Sequence, residues 1–216
     1  VAAIVGAIIY ANMGQSSSAT PARTNSTNPA AAKATPPPNA SKGAEPAWAR
    51  GANNALVTLE ECADFECPSC AVFQPTLQEV KTIYGDRVRI IFRQYPLQMH
   101  PKAYDASRAA EAAGMQGKFW EMSDKLFQKQ KDWKMLPDHR AEYANYAKEL
   151  GLDVEKFKSD MIGQVASQRV AADKKRGDEL GIRSTPSVFL NGRLLAPDEM
   201  SAARMRQAID AAIQGR

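Results

Sequence analysis

The run Cys67-Pro68-Ser69-Cys70 places two cysteines three positions apart, at the start of a stretch with helical spacing. Residues i and i+3 lie one turn apart on a helix, so the two sulfurs are close enough to form a disulfide. We expect Cys67 at or near the N-cap and Pro68 at the first helical position, where its missing N–H costs nothing. Free amides and the helix dipole stabilise a thiolate there, so Cys67 is the expected attacking sulfur and Cys70 the buried resolving thiol.

A lone pair of cysteines at this spacing has two other interpretations. These alternatives are half of a zinc site and two helix cysteines without a chemical role. A structural zinc site needs four ligands, and the sequence offers only Cys62, His100 and His139 in addition. The spacing therefore favours redox chemistry. We expect no metal and no cofactor beyond the Cys67–Cys70 disulfide, and we assign no role to either histidine.

Two β-prone segments flank the cysteine pair. The first covers 55–62, directly before the pair, and the second covers 88–95, after the helix that Gly85 ends. The first segment lacks clean alternation, which is typical of a strand covered on both faces. The order strand, helix, strand predicts a parallel βαβ unit and places the chain in the α/β class.

The second half of the chain changes from helical to β patterning. Apolar residues recur at helical spacing from about 100 to 181, with helices expected over 139–150 and from Asp153 to about 180. The Asn191-Gly192 pair between two apolar runs then predicts a β-hairpin. An amphipathic helix follows Pro197.

The composition is that of a soluble globular protein. The chain has 216 residues, of which 44% are apolar and 24% charged, which excludes a collagen-like, fully disordered or polytopic membrane chain. The net charge is +4, but residues 1–50 hold four basic groups and one acid. The rest is nearly neutral, so we expect no nucleic-acid partner.

The first 47 residues differ from the remainder. Residues 1–13 are uncharged and almost wholly apolar, although a membrane span needs about 20 such residues. We interpret them as part of a transmembrane anchor; a signal-peptide core and an unimportant apolar stub are the alternatives. Residues 14–47 contain six prolines and no aromatic residue, which predicts a disordered linker before a globular domain over 48–216.

Three motifs resemble those of the DsbA family of thioredoxin-fold disulfide oxidoreductases. Residues 57–70 are similar to the family's active-site segment, 116–121 to its inserted helical domain, and 181–192 to its cis-proline loop and hairpin. The motifs stand in the family's order over about 51–216. The resemblance implies a thioredoxin-like fold with a helical insertion over about 97–181.

The resemblance also implies roles for single residues. Pro186 matches the cis-proline that faces the cysteine pair across the substrate groove, and Thr185 matches the residue that tunes substrate release and redox poise. Glu61 matches a buried acid that relays protons to the resolving thiol; its alternative is a strand-end side chain that reaches solvent. Cys62 departs from the family's aromatic or aliphatic residue. We interpret it as an inert buried thiol, with a third redox-active sulfur as the alternative.

These observations predict a thiol-disulfide oxidoreductase of exported proteins, acting most readily as an oxidase. A reductase or isomerase of the same fold, or a thioredoxin-like binding module without turnover, is the alternative. We expect a monomeric catalytic domain, tethered at the periplasmic or extracytoplasmic face of the bacterial inner membrane. Its redox partner would be a membrane quinone-linked reoxidant or a membrane thiol donor.

Two details of the site can be predicted more sharply. Cys67 should be accessible to solvent, Cys70 largely buried, and the Thr185-Pro186 bond cis and next to the pair. Pro68 and Ser69 should tune the redox potential. The family's strongest oxidants carry His where this chain has Ser69, so we expect a moderate oxidant with a less depressed Cys67 pKa.

Overall fold

A computed structural model of the chain describes residues 39–215. The predicted anchor over 1–13 and most of the predicted linker lie outside these residues. Across the described part, no helix combines the length and the apolar character needed to cross a membrane.

A five-stranded mixed sheet forms the centre of the fold, in the order β1-β3-β2-β4-β5. The strands are β1 (Trp48–Arg50), β2 (Val57–Ala63), β3 (Val88–Gln94), β4 (Ser187–Leu190) and β5 (Arg193–Leu194). β2 and β3 are parallel, which confirms the predicted βαβ unit, while β4 and β5 form the predicted antiparallel hairpin. β1 was not predicted; it adds an antiparallel edge to β3.

Eight helices surround this sheet in the described part of the chain, and six of them form the predicted insertion between β3 and β4. The helices are α1 (Pro68–Tyr84), α2 (Ala103–Gly114), α3 (Phe119–Gln128), α4 (Gln130–Trp133), α5 (His139–Glu149), α6 (Val154–Ile162), α7 (Gln164–Glu179) and α8 (Ala202–Ile213). The single helix expected from Asp153 to about 180 is wrong, because extended backbone at Gly163 (φ −71°, ψ 163°) separates α6 from α7. Glycine is a poor helix former, which makes the break inexpensive.

The apolar core has two main parts. Apolar residues of β2 and β3 pack with α1 and α8 in one part, which includes Leu59, Leu77 and Ile209. The other part joins the insertion to the end of the sheet, around Phe92 and Phe119. Cys67 and Cys70 belong to this second part, so the insertion helps to cover the site.

The folded domain begins before the predicted boundary at residue 48. Ala44 is buried; its N–H donates to Asp173 Oδ1 (2.8 Å) and its carbonyl accepts from Arg93 Nη1 (2.8 Å). Ser41 also contributes, because its carbonyl accepts from Arg176 Nη1 at 2.7 Å. These contacts use peptide groups rather than apolar side chains, which is why the Ala- and Pro-rich composition did not reveal them.

Candidate active site

Cys67 is the N-cap of α1, and Pro68 occupies the first helical position. The backbone of Cys67 is extended (φ −72°, ψ 120°), and the first turn of the helix carries no acidic residue. The Cys67 N–H donates to the Asp64 carbonyl at 3.1 Å, so a tight turn joins β2 to the helix. The sulfur therefore lies at the positive end of the helix dipole, without a nearby helix carboxylate to oppose it.

The loop around Thr185 covers the Cys67 sulfur. The Cys67 sulfur lies 3.4 Å from the Thr185 carbonyl oxygen, and the Thr185-Pro186 bond is cis, as predicted. Cys67 is only 6% exposed, so the expectation of an openly accessible sulfur is wrong. The packing of the Thr185 loop on one side and the insertion's core on the other explains this burial.

The pKa of the Cys67 thiol falls from 9.0 to about 5, chiefly because the Cys70 thiol hydrogen-bonds to its sulfur. Burial opposes this effect, while the Thr185 side chain and the amides of Ser69 and Cys70 reinforce it. In the described part of the chain, the buried Thr185 hydroxyl has no other hydrogen-bond partner, which leaves it available to the thiolate. Cys67 is therefore ionised at neutral pH.

Cys70 has the opposite character. It is completely buried, and burial together with its hydrogen bond to Cys67 raises its pKa far above the ordinary value. The Asp64 N–H donates to its sulfur at 3.5 Å and partly offsets that effect. The pair thus combines one cysteine that ionises readily with one that holds its proton, and no disulfide joins them in the structure.

Glu61 lies in the interior, one strand position before Cys62. Its exposure is 1%, so the alternative of a side chain reaching solvent is wrong. Burial raises its pKa to about 8, and the hydrogen bond from Gln74 Nε2 (3.1 Å) only moderates this shift. Gln74 Nε2 also contacts the Cys70 carbonyl at 3.4 Å, and an ionised Glu61 raises the pKa of Cys70. The two titrations are therefore linked.

Cys62 lies on the other face of β2. It is buried with Tyr95, Ile182 and Phe189, and burial raises its pKa well above the ordinary value. Successive strand residues point to opposite faces, so Cys62 points away from Glu61. These surroundings favour the interpretation of an inert buried thiol.

Three polar side chains without a predicted role support the cysteine loop, residues 64–67 between β2 and α1. Gln130 Nε2 donates to the Phe65 carbonyl (2.7 Å) and to the Cys67 carbonyl (2.9 Å). Asp64 is buried, and its Oδ2 lies 2.7 Å from His100 Nδ1. An acid directly between a core strand and the cysteine pair was a signal for Asp64, whereas distance along the chain hid Gln130 and His100. Within residues 39–215, no three His, Cys, Asp or Glu residues converge as a metal site would require.

Comparisons with known proteins place this arrangement in a family. The model Thioredoxin_4, described as Thioredoxin, matches residues 44–211. The Na(+)/H(+) antiporter NhaA 1 of Mycolicibacterium gilvum is 38% identical over 143 residues, which cover 65% of this chain and 22% of the antiporter. The chain spans about a fifth of the length of the curated relatives it matches.

Solved structures show the same fold. Oxidised BdbD from Bacillus subtilis is similar with a TM-score of 0.70 and 22% identity, over 86% of this chain and 99% of that chain. Wolbachia pipientis α-DsbA1 is similar with a TM-score of 0.70 and 18% identity, over 80% of this chain and 93% of that chain. At these identities the likeness concerns the fold. The chain belongs to the thioredoxin family, and its fold is that of the DsbA-like members, with a helical insertion.

Proposed function

We propose that the protein is a thiol-disulfide oxidoreductase that oxidises exported proteins through Cys67 and Cys70. The opposite pKa shifts of the two thiols carry this proposal. The Cys67 pKa falls to about 5, while burial raises the pKa of Cys70. A stabilised thiolate favours the reduced form of a cysteine pair, and a couple with a stable reduced form is an oxidant. The buried Cys70 suits a thiol that reacts only with Cys67.

The proposed oxidation proceeds through a mixed disulfide. A substrate thiolate attacks the Cys67 sulfur of the oxidised protein, the Cys67–Cys70 bond breaks, and Cys70 leaves with the bonding electron pair and takes up a proton. A second substrate thiolate then attacks the substrate sulfur bound to Cys67, and Cys67 leaves as a thiolate. The substrate loses two electrons and gains a disulfide, while the protein becomes the dithiol.

Glu61 is the proposed proton donor to Cys70. With a pKa raised to about 8, it holds a proton at neutral pH, when Cys70 leaves as a thiolate. Gln74 contacts both the Glu61 carboxyl and the Cys70 carbonyl, so the acid and the thiol share one small polar region. In the reverse direction, the ionised Glu61 would accept the Cys70 proton.

Thr185 and Pro186 are proposed to hold the substrate beside Cys67, and Pro68 and Ser69 to set the redox potential. Pro68 and Ser69 are exposed, whereas Thr185 is buried and its carbonyl contacts the Cys67 sulfur. A substrate must therefore displace that contact in order to reach the sulfur. Exchange of this kind needs no cofactor beyond the disulfide.

The proposed location of the protein is the periplasmic or extracytoplasmic side of the bacterial inner membrane. The relatives include proteins named as Na(+)/H(+) antiporters. An antiporter acts across a membrane, which supports a membrane-proximal site for a similar domain. We propose a membrane quinone-linked oxidant as the reoxidant and a monomeric catalytic domain, with no nucleic-acid partner.

Oxidation of a reduced dithiol peptide tests the proposal directly. The wild-type protein should form the peptide disulfide catalytically when an oxidant regenerates it, and Cys67→Ser should abolish this turnover. Cys62→Ser is the matched control, because it removes a buried cysteine from the opposite face of the same strand, and it should retain turnover. Turnover that survives Cys67→Ser contradicts the mechanism.

Insulin reduction with a thiol donor tests the opposite direction. A wild-type protein that reduces insulin well but oxidises the dithiol peptide poorly would be a reductase or isomerase. A protein that binds the peptide and turns over in neither assay would be a binding module. Either result overturns the oxidase proposal.

A further inference from the structure

His100 contacts the cysteine loop from another part of the chain. It lies between β3 and α2, and its Nδ1 is 2.7 Å from Asp64 Oδ2. The His100 side chain is 17% exposed, whereas that of Asp64 is completely buried. A buried carboxylate requires hydrogen bonds or a charge partner, and the imidazole supplies one from the protein surface.

Asp64 connects this imidazole to both cysteines. Its carboxylate also accepts from the Glu66 N–H (2.7 Å) and the Leu97 N–H (2.9 Å). Its backbone carbonyl accepts from the Cys67 N–H at 3.1 Å, and its own N–H donates to the Cys70 sulfur at 3.5 Å. The orientation of one residue therefore fixes the start of the active-site turn and the amide that faces Cys70.

We propose that His100 is a positioning residue for thiol-disulfide exchange, which acts through Asp64 on the amide that faces Cys70. This inference rests on the proposed function. When a thiolate attacks Cys67 and the sulfur–sulfur bond breaks, the electron pair goes to Cys70, and the Asp64 N–H is the donor that meets the new charge. A donor held in place before the reaction stabilises developing charge without reorganisation.

Loss of the imidazole should affect both the rate and the equilibrium of exchange. Without it, the Asp64 carboxylate keeps two backbone donors, Glu66 and Leu97, but loses the side-chain contact with residue 100. The Asp64 peptide is then less firmly held, and Cys70 becomes a poorer leaving group. The reduced protein also loses stabilisation, so the couple becomes less oxidising.

A second histidine provides a matched control. His139 Nε2 lies 2.9 Å from Asp105 Oδ2, and the two side chains are 16% and 13% exposed. The chain has two histidines, and each forms a partly buried pair with an aspartate. The His139 pair joins α5 to α2 within the insertion, and its contacts do not include the cysteine loop.

The experiment compares His100→Leu, His100→Asn and His139→Leu in the full chain. Attack of reduced glutathione on the oxidised protein gives a rate, and the glutathione equilibrium gives the oxidising strength. His100→Leu should slow the attack about fivefold to tenfold and weaken the oxidant by a similar factor, as expected from the loss of one intramolecular hydrogen bond. His100→Asn retains an N–H donor near the Nδ1 position and should restore most of both values.

Thermal unfolding separates positioning from general destabilisation. His139→Leu should lower the melting temperature about as much as His100→Leu and leave the rate and the equilibrium unchanged. Unchanged exchange in His100→Leu, or equal changes in His139→Leu, overturns the proposal. If His100→Leu does not fold, His100→Ala is measured in its place. Glutathione exchange requires no protein substrate, so a failure of protein oxidation by the wild type is distinguishable from a failure of this inference.

Discussion

Two consecutive glutamates on β2 are both buried, yet they have opposite ionisation behaviour. Glu60 faces α7 and accepts from Arg93 Nε (2.8 Å) and Arg176 Nη2 (2.7 Å). Although burial works against it, these two guanidinium groups hold the Glu60 pKa below its usual value. Glu61 points to the other face, where Gln74 is its donor, and burial raises its pKa to about 8.

Both carboxyls are buried, and the difference between their pKa values lies chiefly in their partners. Two guanidinium groups keep Glu60 charged, and that charge ties together β2, β3 and α7. An amide supplies hydrogen bonds without charge, so Glu61 can change its protonation state within the physiological range. The first arrangement stabilises the fold, and the second is the one that the proposed proton transfer to Cys70 requires.

Removal of the Glu60 charge should cause the largest loss of stability. Glu60→Gln leaves Arg176 without its carboxylate partner and Arg93 with one fewer, so we expect a loss of about 3 kcal/mol of unfolding free energy. Urea unfolding measures this loss. The double variant Glu60→Gln/Arg176→Gln should lose less than the sum of the two single variants. The Cys67 pKa should not change; a clear shift would show that the two faces are not separate.

Glu61→Gln should change stability with the opposite sign. The unfolded carboxyl ionises near its ordinary pKa of 4.5, whereas the folded one holds its proton to about 8. The contribution of Glu61 to wild-type stability therefore decreases as the pH rises from about 5 to 8, and above 8 it is constant. Glu61→Gln does not ionise, so it should gain about 1–4 kcal/mol over the wild type across that window.

Urea unfolding of the Glu61→Gln variant at pH 5, 6.5 and 8 tests this sign. A difference from the wild type that does not depend on pH would show that Glu61 does not retain its proton on folding. At pH 7 the variant should also resolve mixed disulfides more slowly, because Cys70 loses its proposed proton donor and acceptor.

The charged groups on the Glu60 face of β2 also anchor the segment before β1. Shortening the chain measures how much this segment contributes to stability. A chain that begins at Trp48 loses the contacts of Ala44 with Asp173 and Arg93. We expect a decrease of about 1–3 kcal/mol in unfolding free energy relative to a chain that begins at Ala40. Thiol-disulfide exchange should be unchanged below the melting temperature, because these contacts lie on the face opposite Glu61. Equal stability of the two chains would show that the segment is dispensable.

The fold was largely predictable because its signals are local. The strand before the cysteines, the Asn191-Gly192 turn and the helical spacing of the insertion each depend on neighbouring residues. β1 is three residues long and is held in the sheet by pairing with β3. Its sequence is therefore too short to show a strand pattern. The break at Gly163 was missed because a single glycine inside a helical pattern is often tolerated.

The parts of the site that could be predicted are those that spacing along the chain determines. The positions of Cys67 and Pro68 follow from helix geometry. The cover over Cys67 does not, because the Thr185 carbonyl reaches the sulfur from 118 positions along the chain. The contrast between Glu60 and Glu61 also depends on Arg176, which lies 116 positions from Glu60. Such partners are set by tertiary packing, and a single sequence does not reveal them.

The smallest expected effect concerns Ser69, which lies between the two cysteines of the pair. Ser69 is exposed and contributes its backbone amide to the Cys67 thiolate, a contribution that any residue except proline can make. Histidine at this position adds a donor, and a positive charge when protonated, near the helix N-terminus. Ser69→His should therefore lower the Cys67 pKa by about one unit, which corresponds to about 1.4 kcal/mol in favour of the thiolate.

Thiolate absorbance against pH measures this change, and the glutathione equilibrium of both proteins gives its effect on the redox couple. The wild-type midpoint should be near pH 5, between the values of about 7 for thioredoxin and about 3.5 for DsbA. Because the folded Cys67 pKa lies below the unfolded one, the thiolate stabilises the reduced protein above about pH 9. As the pH falls through about 5, this stabilisation is lost. Ser69→His should move that loss to lower pH and make the couple more oxidising, whereas Ser69→Asn, which adds no charge, should leave both near the wild type. A wild-type midpoint near that of free cysteine contradicts the assignment of Cys67 as a stabilised thiolate, and an unchanged midpoint in Ser69→His shows that this position does not tune it.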